Sequence, residues 1–425
     1  MTNSELDKLK NQKVDHLFLL IGENPLPNYV AAKILLESGG KPYLVYTEHT
    51  EDAANKLQEI LGTTKNERVS LERNESNGFE IQELIKKKVR EIQKQQPNHS
   101  FGLNYTGGTK AMAVHAYQAF LNLGLEPKPK FSYLDPRSLK MLIDQKTNPF
   151  PIDIMDDDIR SLLDMSFEKL FDLHDLYWKE DKPPILNPCM VDAAKELLEL
   201  YLQKRDEIAD SYFQWCGDRD GLGKAKNGKF WRNENDLENV ELDLSKLPER
   251  LIIVLKKHLN LNANKFELKI AKDYGFNLIS HFCEWLNHGW LEHYVFSQVK
   301  QINNLQIDES GMSFHIEDTN NKNSEYDKFE FDVAFRRGHQ LFALSCTTSV
   351  HPSTCKEKLF EAYVRARQLG GAEARVAVIC LNSYPDSLEK QMKVLTQDRK
   401  IAVFGKKHLR KLSQSISNLI QDKPY

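Results

Sequence analysis

The sequence predicts an α/β protein built from more than one domain. Within residues 14–145, short apolar segments alternate with longer amphipathic ones, a pattern typical of a doubly wound, mostly parallel sheet. From about residue 271, an aromatic-rich helical region precedes further short apolar strands. The chain has 425 residues, and because one domain usually takes roughly 100–200, two or three are expected.

The elements of the first domain are expected in alternating order. Strands are predicted at residues 14–21, 43–46, 68–71 and 101–104, helices at 29–37, 52–61, 78–94 and 110–123, and a β-hairpin at 130–143. Gly39 and Gly40 are expected to stop the helix at 29–37. Ligands of such sheets bind beyond the carboxyl ends of the strands. The loops at residues 22–28, 47–50 and 106–110 are therefore expected to converge on one crevice.

The rest of the chain is expected to form a linker region and a second α/β domain. The predicted domains are residues 1–150, 151–270 (a linker and mostly helical insertion) and 271–425. Helices are predicted at 165–178, 191–209, 271–299 and 355–369, a long exposed loop or small insertion at 217–247, and strands at 329–336, 340–346, 375–381 and 401–404.

Composition excludes several classes of protein. The 58 Lys and Arg residues nearly balance the 61 Asp and Glu residues, which argues against coating of nucleic acid by bulk charge. No apolar run approaches the ~20 residues that a membrane helix needs, and the amino terminus lacks an apolar signal core. The six cysteines form no C-x-x-C pair, which indicates buried, reduced thiols rather than a zinc site. A soluble, cytoplasmic protein is expected.

A phosphate-binding turn is predicted where the strand at 101–104 meets the next helix. Residues Thr106, Gly107, Gly108, Thr109 and Lys110 place two glycines, two hydroxyls and a cation before a helix amino terminus. Glycines allow close approach of an anion, and the helix end offers unpaired N–H groups. The spacing matches neither the Walker loop nor G-x-G-x-x-G. The alternative is an ordinary strand-to-helix turn.

A second group of residues predicts a divalent-metal site. Glu292 lies in the helical region, and Asp332 interrupts an apolar strand that is followed by Ser345, Cys346 and Thr347. Hard cations bind carboxylate and carbonyl oxygens, so Glu292, Asp332 and the carbonyl of Cys346 are candidate ligands. The alternative is that both acids are ordinary surface charges.

A basic and aromatic cluster lies in the expected loop at 217–247. Phe230 and Trp231 are interspersed with basic residues, namely Lys224, Lys226, Lys229 and Arg232. The cluster is typical of a surface that contacts nucleic acid. The alternative is a solvated loop with two anchoring aromatics.

Taken together, these motifs resemble two known folds. The first part resembles the CRISPR-associated Rossmann fold, or CARF, sensor domain, and the last third resembles the PD-(D/E)XK, restriction-endonuclease-like fold; the pair resembles the CARF-domain ancillary nucleases of type III CRISPR systems. The resemblance implies a homodimer that binds a cyclic oligoadenylate, most often cyclic tetra-adenylate, and then cleaves RNA or DNA with Mg²⁺ or Mn²⁺. It assigns Glu292 and Asp332 to the metal. The ligand loops it implies contain Gly22, Glu23, Asn24, Pro25, Thr47, Thr106, Gly107, Gly108, Thr109 and Lys110.

One motif departs from this family. Its third motif normally ends in lysine, which supports the attacking water and neutralises developing charge, but here Thr347 occupies that position. We hypothesise that Lys358 or Lys356 replaces the lysine and that Glu361 assists the metal shell; Arg365 is a further candidate.

The sequence therefore predicts a cyclic-oligoadenylate-activated, metal-dependent nuclease of antiviral defence. Three alternatives stay open. They are a catalytically degenerate regulator that binds nucleic acid without cutting it, an enzyme that degrades its own cyclic oligoadenylate, and a dinucleotide-dependent enzyme.

Overall fold

Strand β1 (Val14–Leu20) is buried on both faces and lies in the interior of the first sheet. Its side chains alternate between two hydrophobic cores: Leu17 and Leu19 belong to one, Phe18 and Leu20 to the other. A strand with two apolar faces must be covered on both sides, as in a doubly wound fold.

The computed structural model describes residues 4–180, 182–318 and 329–425. The first sheet has seven strands in the order β3-β2-β1-β4-β5-β6-β7. Its first five positions are joined by parallel pairings, and β6 and β7 add antiparallel strands. The expected α/β, mostly parallel sheet is confirmed. The strands are β1 (Val14–Leu20), β2 (Leu36–Tyr46), β3 (Arg68–Ser70), β4 (Phe101–Asn104), β5 (Lys130–Asp135), β6 (Lys140–Ile143) and β7 (Phe150–Asp153), and the helices are α1 (Glu5–Lys10), α2 (Leu26–Leu35), α3 (Glu51–Leu61), α4 (Gly78–Gln95) and α5 (Lys110–Leu121).

Two boundaries in this domain differ from the prediction by three residues or more. Helix α2 begins at Leu26 rather than at residue 29, because a proline in the first helical turn loses no hydrogen bond. Strand β2 begins at Leu36 rather than at residue 43 and includes Gly40, where a Cβ would lie 3.0 Å from the Asp15 carbonyl oxygen. Close packing of backbone against β1 therefore explains this glycine better than a helix stop.

The second sheet has six strands in the order β17-β16-β15-β14-β13-β8. Its strands are β8 (Leu176–Trp178), β13 (Glu309–Asp318), β14 (Phe329–Arg337), β15 (Gln340–Cys346), β16 (Arg375–Ile379) and β17 (Ile401–Phe404). Pairing is antiparallel from β8 to β15 and parallel from β15 to β17. The edge strand β8 comes from the interval that was expected to be linker and helix, so the predicted helix to residue 178 is wrong at its end.

The remaining helices lie in the second domain and in the central segment, residues 151–270. They are α6 (Asp157–Leu162), α7 (Phe167–Asp172), α8 (Val191–Gly217), α9 (Glu234–Glu238), α10 (Glu249–His258), α11 (Ile279–Glu284), α12 (Trp290–Lys300), α13 (Pro352–Gly370), α14 (Pro385–Thr396), α15 (Lys406–Leu409) and α16 (Leu412–Ile420). The helical region predicted at 271–299 is broken, since a π-helical segment, Trp285–Gly289, separates α11 from α12.

Of the two predictions for residues 217–247, the structure agrees with a small insertion and not with an exposed loop. It contains a hairpin, β9 (Lys226–Asn227) with β10 (Phe230–Trp231), and the strand β11 (Glu241–Asp243), which pairs with β12 (Lys265–Glu267). Several of its apolar side chains are fully buried, among them Leu222, Leu237 and Leu244. These small elements therefore belong to a packed structure.

One hydrophobic core lies between the two sheets and belongs to both. It combines Leu26 and Tyr29 of α2 with Ala343 of β15 and with Leu359 and Ala366 of α13. Helices α2 and α13 thus meet in a single apolar layer, which places the first domain's loops next to the second domain's helix.

Two expectations on composition can be compared with the structure. The six cysteines are all free, and five of them are buried. Among the described residues, no helix is both long and apolar enough to cross a membrane.

Candidate ligand-binding and catalytic sites

The loops after β1 and β4 touch each other through glycines. A Cβ on Gly107 would lie 2.3 Å from the carbonyl oxygen of Leu20, and a Cβ on Gly22 would lie 3.3 Å from the nitrogen of Gly108. Gly108 also has φ +72°, which side chains rarely adopt. Two of the three loops predicted to converge, those at 22–28 and 106–110, therefore touch each other, and their contact requires residues without side chains.

A buried asparagine that sequence reasoning missed supports this contact. Asn28 of α2 is fully buried, and its amide nitrogen donates to the Leu20 carbonyl at 2.9 Å. Its amide oxygen lies 3.2 Å from the position of a Cβ on Gly107 and has no hydrogen-bond partner among the described residues. A polar residue within an apolar helix was the available signal.

The hydroxyls of the three threonines predicted in the ligand loops are engaged within the first domain. Thr109 caps α5 by accepting from the Met112 N–H at 3.1 Å, and Thr106 accepts from the Leu134 N–H at 2.8 Å. The hydroxyls of Thr47 and Thr50 hydrogen-bond each other at 3.4 Å. These hydroxyls shape the loops. Lys110 is exposed and forms no ion pair within the described part of the chain, so its ammonium remains open to an anion.

The residues after Gly22 face the second domain. The Asn24 amide nitrogen donates to the carbonyl oxygens of Gln368 and Leu369, at 3.3 and 3.4 Å. Glu23, Asn24 and Pro25 line a cavity of ≈ 340 Å³, together with Asp52, Lys56 and Arg367 among others. In the predicted first ligand loop, Gly22 therefore contacts the loop after β4, whereas Asn24 contacts α13.

In the second domain, Asp332 is held by the neighbouring strand. Its Oδ2 atom accepts a hydrogen bond from the Ser345 hydroxyl at 3.0 Å and another from the Cys346 N–H at 2.6 Å. Both donors lie at the end of β15, beside β14. The structure therefore unites the strand acid with the polar residues predicted to accompany it.

Acidic side chains crowd around Asp332. Burial and the nearby carboxyls of Asp332, Glu330 and Glu284 raise the pKa of Glu292 well above its usual range. Burial also raises the pKa of Asp332, against the lowering effect of its hydrogen bonds and of Lys358. Burial and the like charge of Asp332 and Glu284 raise the pKa of Glu330 to about 7. Burial and mutual repulsion therefore favour the protonated forms of these carboxyls.

Of the residues predicted to replace the missing motif lysine, the structure favours Lys358. Burial lowers the pKa of Lys358, but nearby carboxyls raise it by more, so the pKa is above its usual value. These carboxyls are Asp332, Glu361, Glu330 and Glu292. The Lys358 ammonium therefore lies among the clustered acids. Arg365 instead packs over the ring of Phe329, 4.7 Å from its centroid. Lys356 contributes to none of these acids' pKa shifts.

Thr347 does not reach the acids through an ion pair or hydrogen bond. Its hydroxyl accepts from the Ser349 N–H at 3.1 Å, and its own N–H donates to the Ile379 carbonyl at 2.9 Å. Glu361 is exposed on α13, close enough to Asp332 to raise its pKa. Within the residues that the structure describes, no three His, Cys, Asp or Glu side chains are arranged as a metal site.

The sequence analysis missed two of the four acids that form this cluster, which we call the acidic centre (Glu284, Glu292, Glu330 and Asp332). Glu330 precedes Asp332 by two residues on β14, and because strand side chains alternate, both point to the same face. Glu284 ends α11 within an otherwise apolar, aromatic run. It lines a cavity of ≈ 230 Å³ together with Glu292, Glu330 and Trp231.

A comparison with protein families gives a match in the first domain. Residues 17–146 match the family described as the Card1 CARF domain. This part of the chain is therefore similar to CARF domains, and we refer to it as the CARF domain. The match includes the glycine contact, Asn28, Lys110 and all strands of the first sheet from β2 to β6.

Solved structures resemble the whole chain in fold. Protein VC1899 from Vibrio cholerae is 13% identical, with a TM-score of 0.67 and coverage of 96% of this chain and 98% of that one. Can2 from Sulfobacillus thermosulfidooxidans, solved in complex with cyclic tetra-adenylate, is 16% identical, with a TM-score of 0.63 and coverage of 96% and 99%. A comparison with curated proteins gives no match. The arrangement of the CARF domain beside a second sheet thus recurs in both solved structures.

Proposed function

We propose that this chain is a cyclic-oligoadenylate-activated, metal-dependent nuclease of type III CRISPR defence. The observation that carries the proposal is that one chain combines a CARF domain with a second domain in which the carboxyls of Glu292 and Asp332 lie close to the cation of Lys358. The similar fold of Can2, which was solved with cyclic tetra-adenylate, supports that ring as the activator.

The activator would bind where the two loops of the CARF domain meet. The contact of Gly22 with Gly107 and Gly108 holds the two loops together beside the amino terminus of α5, whose N–H groups would bind a phosphate, and Lys110 supplies a positive charge. A ring spanning two copies of this surface would join a homodimer. Activation is then a population shift, in which the ligand favours the active dimer by its higher affinity for that state.

The residues of the acidic centre fit a hard divalent cation. Glu292, Asp332 and the carbonyl of Cys346 would hold Mg²⁺ or Mn²⁺, and waters and substrate phosphate would complete the shell. A bound cation would offset the burial that raises the pKa of both carboxyls and the like charge that adds to it at Glu292. The ion, when bound, polarises the phosphodiester and lowers the pKa of its water.

The protein's own residues have separate tasks in this scheme. The Ser345 hydroxyl and the Cys346 N–H fix the orientation of Asp332. Lys358 neutralises the charge that develops on the phosphate, and Glu361 assists from the exposed side of α13. Thr347 carries no charge and holds the turn to Ser349.

A regulator that binds nucleic acid without cutting it is the second candidate. The specific observation in its favour is Thr347, whose hydroxyl is engaged by the Ser349 N–H in a position where the resembling nucleases carry lysine. Such a protein would bind cyclic tetra-adenylate and nucleic acid but would give no products.

The deciding experiment is cleavage of RNA and supercoiled plasmid with and without cyclic tetra-adenylate. We expect products only with both the ring and Mg²⁺ or Mn²⁺ present. Ligand binding without cleavage under any metal condition would favour the regulator, and absence of ligand binding would contradict both functions.

A further inference from the structure

A short hairpin of the central segment forms one wall of the acidic centre. Strands β9 and β10 turn at Gly228, which has φ +63°. Trp231, at the end of the hairpin, lines the same ≈ 230 Å³ cavity as Glu292 and Glu330. The hairpin therefore borders the carboxylates on which the proposed function depends.

The two aromatic residues of the hairpin differ in exposure. Trp231 is partly buried against the core, with the Lys226 ammonium 4.8 Å from its ring centroid. Phe230 is 78% exposed, and its Cα is only ~3.8 Å from that of Trp231. Burial of Trp231 thus fixes the hairpin. Because successive side chains of a strand point to opposite faces, the bare ring of Phe230 projects from the outer face of the hairpin, where the fold itself gains nothing from it.

Basic residues around this ring lack acidic partners. Among the described residues, neither Lys229 nor Arg232 forms an ion pair, whereas Lys224 donates to the Glu241 carbonyl at 3.0 Å. The nearby acid Glu234 is already used, since it accepts from the Ile279 and Ser280 N–H groups. Two cations thus remain available to phosphates next to an exposed ring.

We propose that the basic hairpin, residues 224–232, binds single-stranded nucleic acid. A base stacks on Phe230, phosphates contact Lys229 and Arg232, and the strand continues to the cavity of Glu292 and Glu330. Only an unpaired base offers a free face for stacking, which selects single strands over duplex. The inference deepens the proposed nuclease function and rests on it for the destination of the strand.

Binding without cleavage tests the hairpin alone. The full-length protein is titrated, with chelator present, into labelled single-stranded RNA, single-stranded DNA and a duplex of the same sequence. Phe230→Ala should weaken binding of both single strands about 10-fold and leave duplex binding unchanged, because stacking of one base is lost. Phe230→Trp should restore the affinity. The matched control Phe213→Ala removes another ring, 73% exposed on α8, and should change nothing.

Salt dependence tests the cations. Lys229→Ala and Arg232→Ala should each reduce the slope of log affinity against log salt by roughly 0.7 on single strands. Single-strand affinity that is unchanged in Phe230→Ala, or duplex affinity that falls equally, would overturn the proposal. If the protein binds single strands in a Phe230-dependent way but never cleaves them, the proposed nuclease function is contradicted, whereas the proposed binding site on the hairpin is supported.

Discussion

The side-chain amide of Asn24 hydrogen-bonds the carbonyl oxygen of Leu369, at 3.4 Å, and so links the CARF domain to the last turn of α13. The same helix carries Lys358 among the clustered acids. Gly371 follows the helix with φ +58°, and a Cβ there would lie 3.0 Å from the Asn24 amide nitrogen. One helix therefore contacts the first ligand loop at its end and the acidic centre near its start.

Asn24→Ala is expected to weaken the coupling of ligand binding to cleavage. Loss of the contact should reduce the activation factor about 2- to 30-fold, since substitutions between coupled sites usually change coupling by ~0.5–2 kcal/mol. Cleavage rates with and without cyclic tetra-adenylate measure this factor. Gln368→Ala is the matched control, because the contact uses the Gln368 carbonyl and survives loss of its side chain. An unchanged activation factor in Asn24→Ala would refute the link.

Asp332→Asn is expected to abolish cleavage and to preserve ligand binding. The amide keeps an acceptor for Ser345 and Cys346 but loses the charge that a divalent cation requires. We expect a decrease of at least ~100-fold in cleavage rate, with unchanged calorimetric affinity for cyclic tetra-adenylate. Chelator should have the same effect on the unaltered protein. Retained cutting by Asp332→Asn would exclude this residue from the metal site.

Lys358→Met is expected to reduce cleavage about 100-fold, because it removes the cation among the acids while keeping a similar shape. Lys356→Met provides the comparison on the same helix, two residues away, and should keep nearly full activity. Single-turnover rates at saturating metal and activator separate the two variants. Equal effects of both substitutions would contradict the assignment of Lys358.

Gly107→Ala is expected to eliminate activator binding and to destabilise the CARF domain. The new Cβ would lie 2.3 Å from the Leu20 carbonyl oxygen, so the loops must separate, at a cost of ~1–3 kcal/mol. Gly217→Ala meets no atom within 4 Å and serves as control. Calorimetric titration and thermal unfolding report the two effects; normal affinity in Gly107→Ala would disprove the site.

His339 is expected to make the protein sensitive to acid. It is buried, with both ring nitrogens unpartnered in the described structure, and burial, assisted by Lys400, lowers its pKa from 6.5 to about 4. Between these two pKa values the unfolded chain binds a proton that the folded chain excludes. The free energy of unfolding is therefore unaffected by protonation of His339 above about pH 6.5 and decreases as the pH falls towards 4. His339→Leu should therefore recover about 2 kcal/mol of unfolding free energy near pH 5 relative to neutral pH. Urea denaturation at both pH values measures the difference, and an unchanged acid loss would contradict it.

Local sequence patterns predicted most of the CARF domain. Strand β4 and helix α4 were placed within a residue of their bounds, because short buried strands and long amphipathic helices carry clear periodicity. The errors occurred where packing overrides local signals. Gly40 looked like a helix stop, but its conformation serves contact between strands, and β8 is a three-residue strand that only pairing with β13 defines.

The candidate sites were predicted less completely. The glycine turn and Asp332 could be identified because each violates its local pattern, one by two adjacent glycines and the other by a charge in an apolar strand. Asn28 and Glu284 were missed because a polar residue in a helix has no fixed meaning until its neighbours are known. Lys358 was one of several candidates until the fold placed it among the acids.

The sequence by itself determined the α/β class, the central strands and the residue types that can bind phosphate or a divalent cation, since these depend on spacing and composition within short segments. The tertiary structure decided which of those residues meet. Residues as distant in sequence as Asn24 and Leu369, or Trp231 and Glu330, come together only because a shared core brings α2 and α13 into one layer and a packed hairpin closes the acidic cavity. Such contacts follow from burial of apolar surface over the whole chain, which no local pattern encodes.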